Sequence, residues 1–122
     1  MDKPDLLELY PVRLFEWETN PESDRIIVIR PKFTSSLGQK ILLPFFGQKY
    51  FKIKLDPLGS LVWKLCDGEH TVGDILHELQ NTFRDEEDLP KRLTIFIHQL
   101  VREKFIQLLQ KVSEENVSQK EN

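Results

Sequence analysis

The sequence predicts an α+β domain in which three antiparallel strands precede a unit of three helices, an order typical of winged-helix-like folds. Two observations carry this prediction. Apolar residues alternate with polar ones up to Leu55, and they recur at helical spacing after Asp56. The chain has 122 residues, 39% of them hydrophobic, which is enough for one core, so a single domain is expected.

The first two strands are predicted around a turn. Leu14 to Glu18 alternates between apolar and polar residues, as in a half-buried strand. Asn20 to Asp24 is rich in turn-forming residues. Ile26 to Ile29 is a β-branched run that ends where Pro31 cannot donate to a sheet ladder. These segments therefore indicate a hairpin.

The third strand is predicted at Tyr50 to Leu55, where alternation returns. One face would hold Phe51, Ile53 and Leu55 toward the core, and the other would direct Lys52 and Lys54 to solvent. A sheet of three strands cannot close on itself. At least one edge should therefore remain available for pairing.

Three helices follow, each with a start signal. Asp56-Pro57 suits a first cap and first helical position, Thr71 and Asp74 resemble a capping box, and Pro90 opens the third helix. The apolar stripe of that third helix is predicted as core and consists of Leu93, Phe96, Ile97, Leu100 and Val101. The pattern of residues 105–109 fits either a continued helix or a short terminal strand.

The predicted domain spans residues 12–110, after an extension at 1–11 and before a polar tail at 111–122 that is expected to be disordered. An insertion at 33–49 contains the unusually apolar stretch from Leu37 to Phe46. This stretch is either a lid over the core or a contact surface for a partner, a second copy or a membrane. The candidate docking residues are Leu43, Phe45 and Phe46.

Charge and chemistry favour binding over catalysis. The formal charge is −3, yet the segment from Arg30 to Lys64 has seven basic residues and one acidic residue, which indicates a polarised surface. The sequence contains no phosphate-binding Gly-rich loop, no nucleophile elbow and no metal-ligand spacing among its histidines. No cofactor or metal is expected. A single cysteine, Cys66, and the lack of a signal peptide or a spanning apolar run predict a cytoplasmic protein.

DNA binding by a winged helix is the alternative function. The third helix offers basic and amide side chains, namely Lys91, Arg92, Gln99, Arg102 and Lys104. Acidic residues surround the second helix, including the run from Asp85 to Asp88. These acids would oppose phosphate contacts, which supply most of the affinity for DNA. Nucleic acid is therefore not expected as a partner.

The segment from Leu55 to Ile75 resembles the signature of the PqqD family. The matching features are Trp63 in the first helix, then Asp67-Gly68, then Thr71-Val72. Leu93 to Ile106 is similar to the family's ending, although this chain has Glu103-Lys104 where the family has a glycine. The resemblance covers roughly residues 12–109.

This resemblance implies a peptide-recognition domain that binds the leader segment of a ribosomally made precursor peptide. Such a domain presents the peptide to a modifying enzyme, often a radical S-adenosylmethionine enzyme. The peptide would add as a strand along the third strand and lie against the third helix. The residues expected to bind it are Tyr50, Phe51, Lys52, Ile53 and Lys54 on the strand and Ile95, His98 and Arg102 on the helix.

Overall fold

A computed structural model describes residues 5–31 and 50–111. The elements occur in the order 3₁₀ turn Leu6–Glu8, β1 Tyr10–Arg13, β2 Glu16–Thr19, β3 Ile26–Pro31, β4 Tyr50–Lys54, α1 Pro57–Leu65, α2 Val72–Thr82, α3 Leu89–Arg102 and β5 Ile106–Leu109. The contacts divide the chain into two units. The sheet unit comprises the described residues from Phe15 to Trp63, and the helical unit comprises those up to Leu14 and from Lys64 onward.

The sheet unit is built on an antiparallel sheet of order β2-β3-β4. β3 is central because its β-branched side chains can be buried on one face while its backbone pairs on both sides. Ile26 and Val28 are buried on that face, and Val62 and Trp63 of α1 belong to the core of the same unit. The ring of Trp17 on β2 meets the Trp63 ring edge to face, with centroids 6.3 Å apart.

A buried serine connects α1 to the sheet. The hydroxyl of Ser60 accepts a hydrogen bond from the backbone N–H of Ile26 at 2.9 Å, and Ser60 is only 4% exposed. At the start of the helix, the carboxylate of Asp56 accepts from the N–H of Gly59 at 2.7 Å. The predicted start of this helix is confirmed, since α1 begins at Pro57.

In the helical unit, β1 pairs antiparallel with β5, and α2 packs against α3. Its buried side chains are those of Pro11, Cys66, Val72, Ile75, Leu79, Leu89, Leu93, Ile97, Leu100 and Ile106. The capping box at the start of α2 is present: Thr71 Oγ1 accepts from the N–H of Asp74 at 3.0 Å, and the Asp74 carboxylate accepts from the N–H of Thr71 at 2.9 Å.

The end of α3 has the hydrogen bonds of a Schellman motif. The N–H of Lys104 donates to the carbonyl of Val101, and the N–H of Phe105 donates to that of Leu100. Lys104 has a φ of 63°, in the left-handed region that favours glycine. A lysine thus adopts the left-handed turn at the end of α3.

The predicted order of three antiparallel strands and then three helices is confirmed. Of the two structures considered for residues 105–109, a continued helix and a short strand, the strand is present as β5. Its partner β1 has no counterpart in the sequence-based prediction. The expectation that Phe96 and Val101 are core is too strong, because both are only half-buried. No helix within residues 5–31 and 50–111 is long and apolar enough to cross a membrane.

Candidate functional site

The free edge of the sheet is β4, which among the described residues pairs with β3 alone. The direction of its backbone groups follows from the register. The N–H of Leu55 donates to the carbonyl of Ile26, so every second residue before Leu55, namely Ile53 and Phe51, directs its N–H and C=O groups toward β3. The N–H and C=O groups of the intervening residues, Tyr50, Lys52 and Lys54, therefore point away from β3.

The side chains of β4 alternate as predicted. Lys52 and Lys54 are exposed on the face that we call the outer face, and Ile53 is half-buried on the opposite, core face. The expectation that Phe51 is buried is wrong, because its side chain is 53% exposed. Phe51 lies opposite Arg30, whereas the pairing of β2 ends opposite Ile29, so the part of the sheet that the structure describes is two strands wide there.

The outer face of the sheet carries an ordered charge pattern. On β2 lie Glu16 and Glu18. Across the half-buried residues of the central strand, Glu16 shares a row with Lys52, and Glu18 shares a row with Lys54. Lys52 Nζ lies 3.3 Å from Glu18 Oε1, with both side chains about half exposed or more. Lys54 makes no ion pair with any residue of the described ranges.

A second group of predicted residues lies on α3, in the helical unit. Ile95 is 49% exposed, and His98 and Arg102 are exposed as well. Their spacing places them on one side of the helix, away from the buried stripe of Leu93 and Ile97. An exposed isoleucine flanked by two polar side chains is a surface suited to contact an apolar group of a ligand.

Cys66, Asp67 and His70 lie close together in the sequence at the end of α1. His70 Nδ1 lies 2.9 Å from Asp67 Oδ2. Burial disfavours the Asp67 carboxylate, but hydrogen bonds from His70 and Glu69 outweigh this effect and lower its pKa. Burial, opposed by the charge of Arg13, raises the pKa of the Cys66 thiol to about 12. Among residues 5–31 and 50–111, no group of three or more potential ligands could hold a metal ion.

The sequence-based prediction identified β4 and the exposed side of α3, and it missed Glu18. Alternation marks Glu18 as exposed, but only the positions of the side chains show that it reaches diagonally to Lys52. The predicted docking residues Leu43, Phe45 and Phe46 lie outside the described residues.

The structure is that of a small α+β protein, and an exposed sheet edge can receive an extended peptide as an added strand. The family model described as Coenzyme PQQ synthesis protein D (PqqD) matches residues 39–106, more than half of the chain, and the chain belongs to this family. The PqqD family comprises non-catalytic accessory proteins that bind precursor peptides and act with PqqE-type enzymes. No curated protein and no solved structure matches the chain.

Proposed function

We propose that this protein holds the leader segment of a ribosomally made precursor peptide by strand addition along β4 and presents it to a modifying enzyme of the radical S-adenosylmethionine class. The observation that carries the proposal is the row of outward backbone groups on Tyr50, Lys52 and Lys54. Each of these residues offers one N–H donor and one C=O acceptor to an extended chain. Family membership supports the identity of the ligand as a precursor peptide.

Main-chain hydrogen bonds supply a sequence-independent part of the affinity. Each contributes roughly 0.5–1.5 kcal/mol net, and part of the total offsets the entropy lost when a flexible leader becomes ordered. The side chains of Phe51 and Ile53 add apolar contact on the core face of the edge. Backbone pairing therefore fixes the mode of binding, and side-chain contacts select the peptide.

The exposed side of α3 that carries Ile95, His98 and Arg102 is proposed as a peptide-contact surface of the helical unit. Its test is independent of the strand edge. Ile95→Ser should weaken leader binding several-fold, because the exposed isoleucine loses its apolar contact. Lys91→Gln, on an exposed position of the same helix, is the matched control and should leave the affinity unchanged. Equal affinity of the Ile95→Ser variant and the wild type would remove α3 from the site.

Docking of the modifying enzyme is proposed for Leu43, Phe45 and Phe46. Polar replacements of Leu43 and Phe46 should abolish enzyme capture while leaving leader binding and the melting temperature intact. A change in hydrodynamic size would instead assign these residues to self-association between two copies. Loss of the folded state would assign them to the core and refute docking.

Strand addition is tested with the leader of a precursor peptide encoded beside this gene. Two versions of its shortest binding segment carry N-methyl groups on complementary sets of alternate residues. Only one set directs its N–H groups toward β4, so one version should bind like the parent and the other should fail. NMR shifts in the parent complex should include the amides of Tyr50, Lys52 and Lys54. Equal binding of both methylated versions, or shifts that leave β4 untouched, would refute the proposal.

A further inference from the structure

The charge rows on the outer face of the sheet end at the edge where a peptide would be added. One row runs from Glu16 through Ile29 to Lys52, and the next runs from Glu18 through Ile27 to Lys54. A residue of an added strand that lies opposite Lys52 or Lys54 would share this outer face with the lysine. The residue between them would share the other face with Ile53.

The two lysines differ in their surroundings. Lys52 has a carboxylate within the protein, since Glu18 Oε1 lies 3.3 Å from its ammonium nitrogen. Lys54 has no such partner in the described part of the chain. An acidic ligand therefore meets an open cation at Lys54 and a cation already occupied at Lys52.

We infer that the peptide read by β4 alternates acidic and apolar residues, with one acid opposite Lys54 and the next opposite Lys52, and that Glu18 competes with the peptide for Lys52. This inference rests on the proposed strand addition and specifies its ligand. Opposite charges directly across neighbouring strands attract, and like charges repel. The apolar positions follow from the core face of the edge, where Phe51 is 53% exposed and Ile53 half-buried.

Glu18 weakens the preference of Lys52 for acidic peptides, because it already occupies the lysine. An exposed ion pair is weak, so a peptide carboxylate can displace Glu18 from Lys52 at a small free-energy cost. A peptide without acids leaves the Glu18–Lys52 pair intact and gains nothing from it. The pair thus lowers the affinity for acidic peptides slightly.

The first test uses three synthetic peptides long enough to pair with the five residues of β4. Their residues alternate Glu with Val, Gln with Val, or Lys with Val. At low salt the Glu peptide should bind about tenfold more tightly than the Lys peptide, with the Gln peptide between them, and added salt should reduce this spread. Lys54→Gln should reduce it as well, whereas Lys91→Gln, which removes the same charge from α3, should not.

The outcomes separate this inference from the proposed function. If all three peptides shift the β4 amides with equal affinity, charge selection is refuted and strand addition stands. If none shifts those amides, while the natural leader does, the alternating pattern is refuted. If neither the peptides nor the leader shift them, strand addition fails, and this inference fails with it.

The second test isolates Glu18 with a matched variant. Glu18→Gln and Glu16→Gln remove the same charge from the same face of β2, but only Glu18 contacts Lys52. Glu18→Gln should tighten binding of the Glu peptide about threefold, as expected for release of an exposed ion pair, and Glu16→Gln should change it much less. In a Lys52→Gln background the effect of Glu18→Gln should vanish. Equal effects of the two glutamate variants would show a general charge effect and refute the competition.

Discussion

Replacing Lys104 by glycine should stabilise the helical unit. Lys104 forms the left-handed turn after α3, with a φ of 63°, and the hydrogen bonds of that turn are already made by the N–H groups of Lys104 and Phe105. The left-handed conformation costs an L-residue roughly 1–2 kcal/mol. Glycine avoids this cost but loses about 0.5–1 kcal/mol through the greater freedom of the unfolded chain.

The expected net gain is about 0.5–1 kcal/mol in the free energy of unfolding, or a rise of roughly 2–6 °C in the melting temperature. Urea and thermal denaturation followed by circular dichroism measure it. The control is Lys104→Ala, which removes the same charge and side chain but keeps the Cβ atom that causes the strain. Both variants lose any interaction of the ammonium group with the C-terminal end of α3. A glycine variant no more stable than the alanine variant would refute the strain assigned to this turn.

Three further changes have defined outcomes. Ser60→Ala should cost about 1–3 kcal/mol of stability, because it leaves the buried N–H of Ile26 without its acceptor; urea denaturation measures this, and a loss below about 0.5 kcal/mol would contradict it. Hydrogen bonds from the backbone and side chain of Thr71 lower the pKa of Asp74, so its contribution to stability is present above the ordinary pKa of 3.8 and is lost as the pH falls toward the lowered value. Asp74→Asn should flatten that acid-side loss in a pH series of melting curves, whereas an unchanged slope would count against the cap. Titration with random duplex DNA at physiological salt should show no sub-micromolar binding. The reason is that Arg92 Nη1, a candidate phosphate contact, already lies 2.8 Å from the Glu86 carboxylate. Tight binding would instead favour the alternative function of a DNA-binding regulator.

Burial along the strands was only partly predictable from alternation. Alternation correctly predicts which residues of β4 share a face, because successive side chains of any strand point to opposite sides. It does not predict how deeply each is buried, since that depends on neighbouring strands. Phe51 and Ile53 share a face, yet β2 flanks the sheet only up to the level of Ile29, and Phe51 is left 53% exposed.

The candidate site was predictable in position and not in detail. The basic residues of β4 and the exposed side of α3 follow from local pattern and from resemblance to the family. The partner of Lys52 does not, because Glu18 is 34 positions earlier in the sequence and lies on a different strand. The register places Glu16 in the row of Lys52 and Glu18 in the row of Lys54, and only the diagonal side-chain contact at 3.3 Å identifies Glu18 as the partner of Lys52.

The sequence by itself determined the order of the three strands of the sheet and the three helices, and the starts of the first two helices. These depend on contacts within a few residues, such as Asp56 with Gly59 and Thr71 with Asp74, so the local pattern contains the information. The tertiary structure alone decided that β1 pairs with β5, which begin 96 positions apart, and that β3 is central. Strand pairing over such distances depends on the packing of the whole unit, because backbone N–H and C=O groups are the same in every strand and do not by themselves specify a partner. That choice of central strand leaves the outward amides of Tyr50, Lys52 and Lys54 at a free edge of the described sheet.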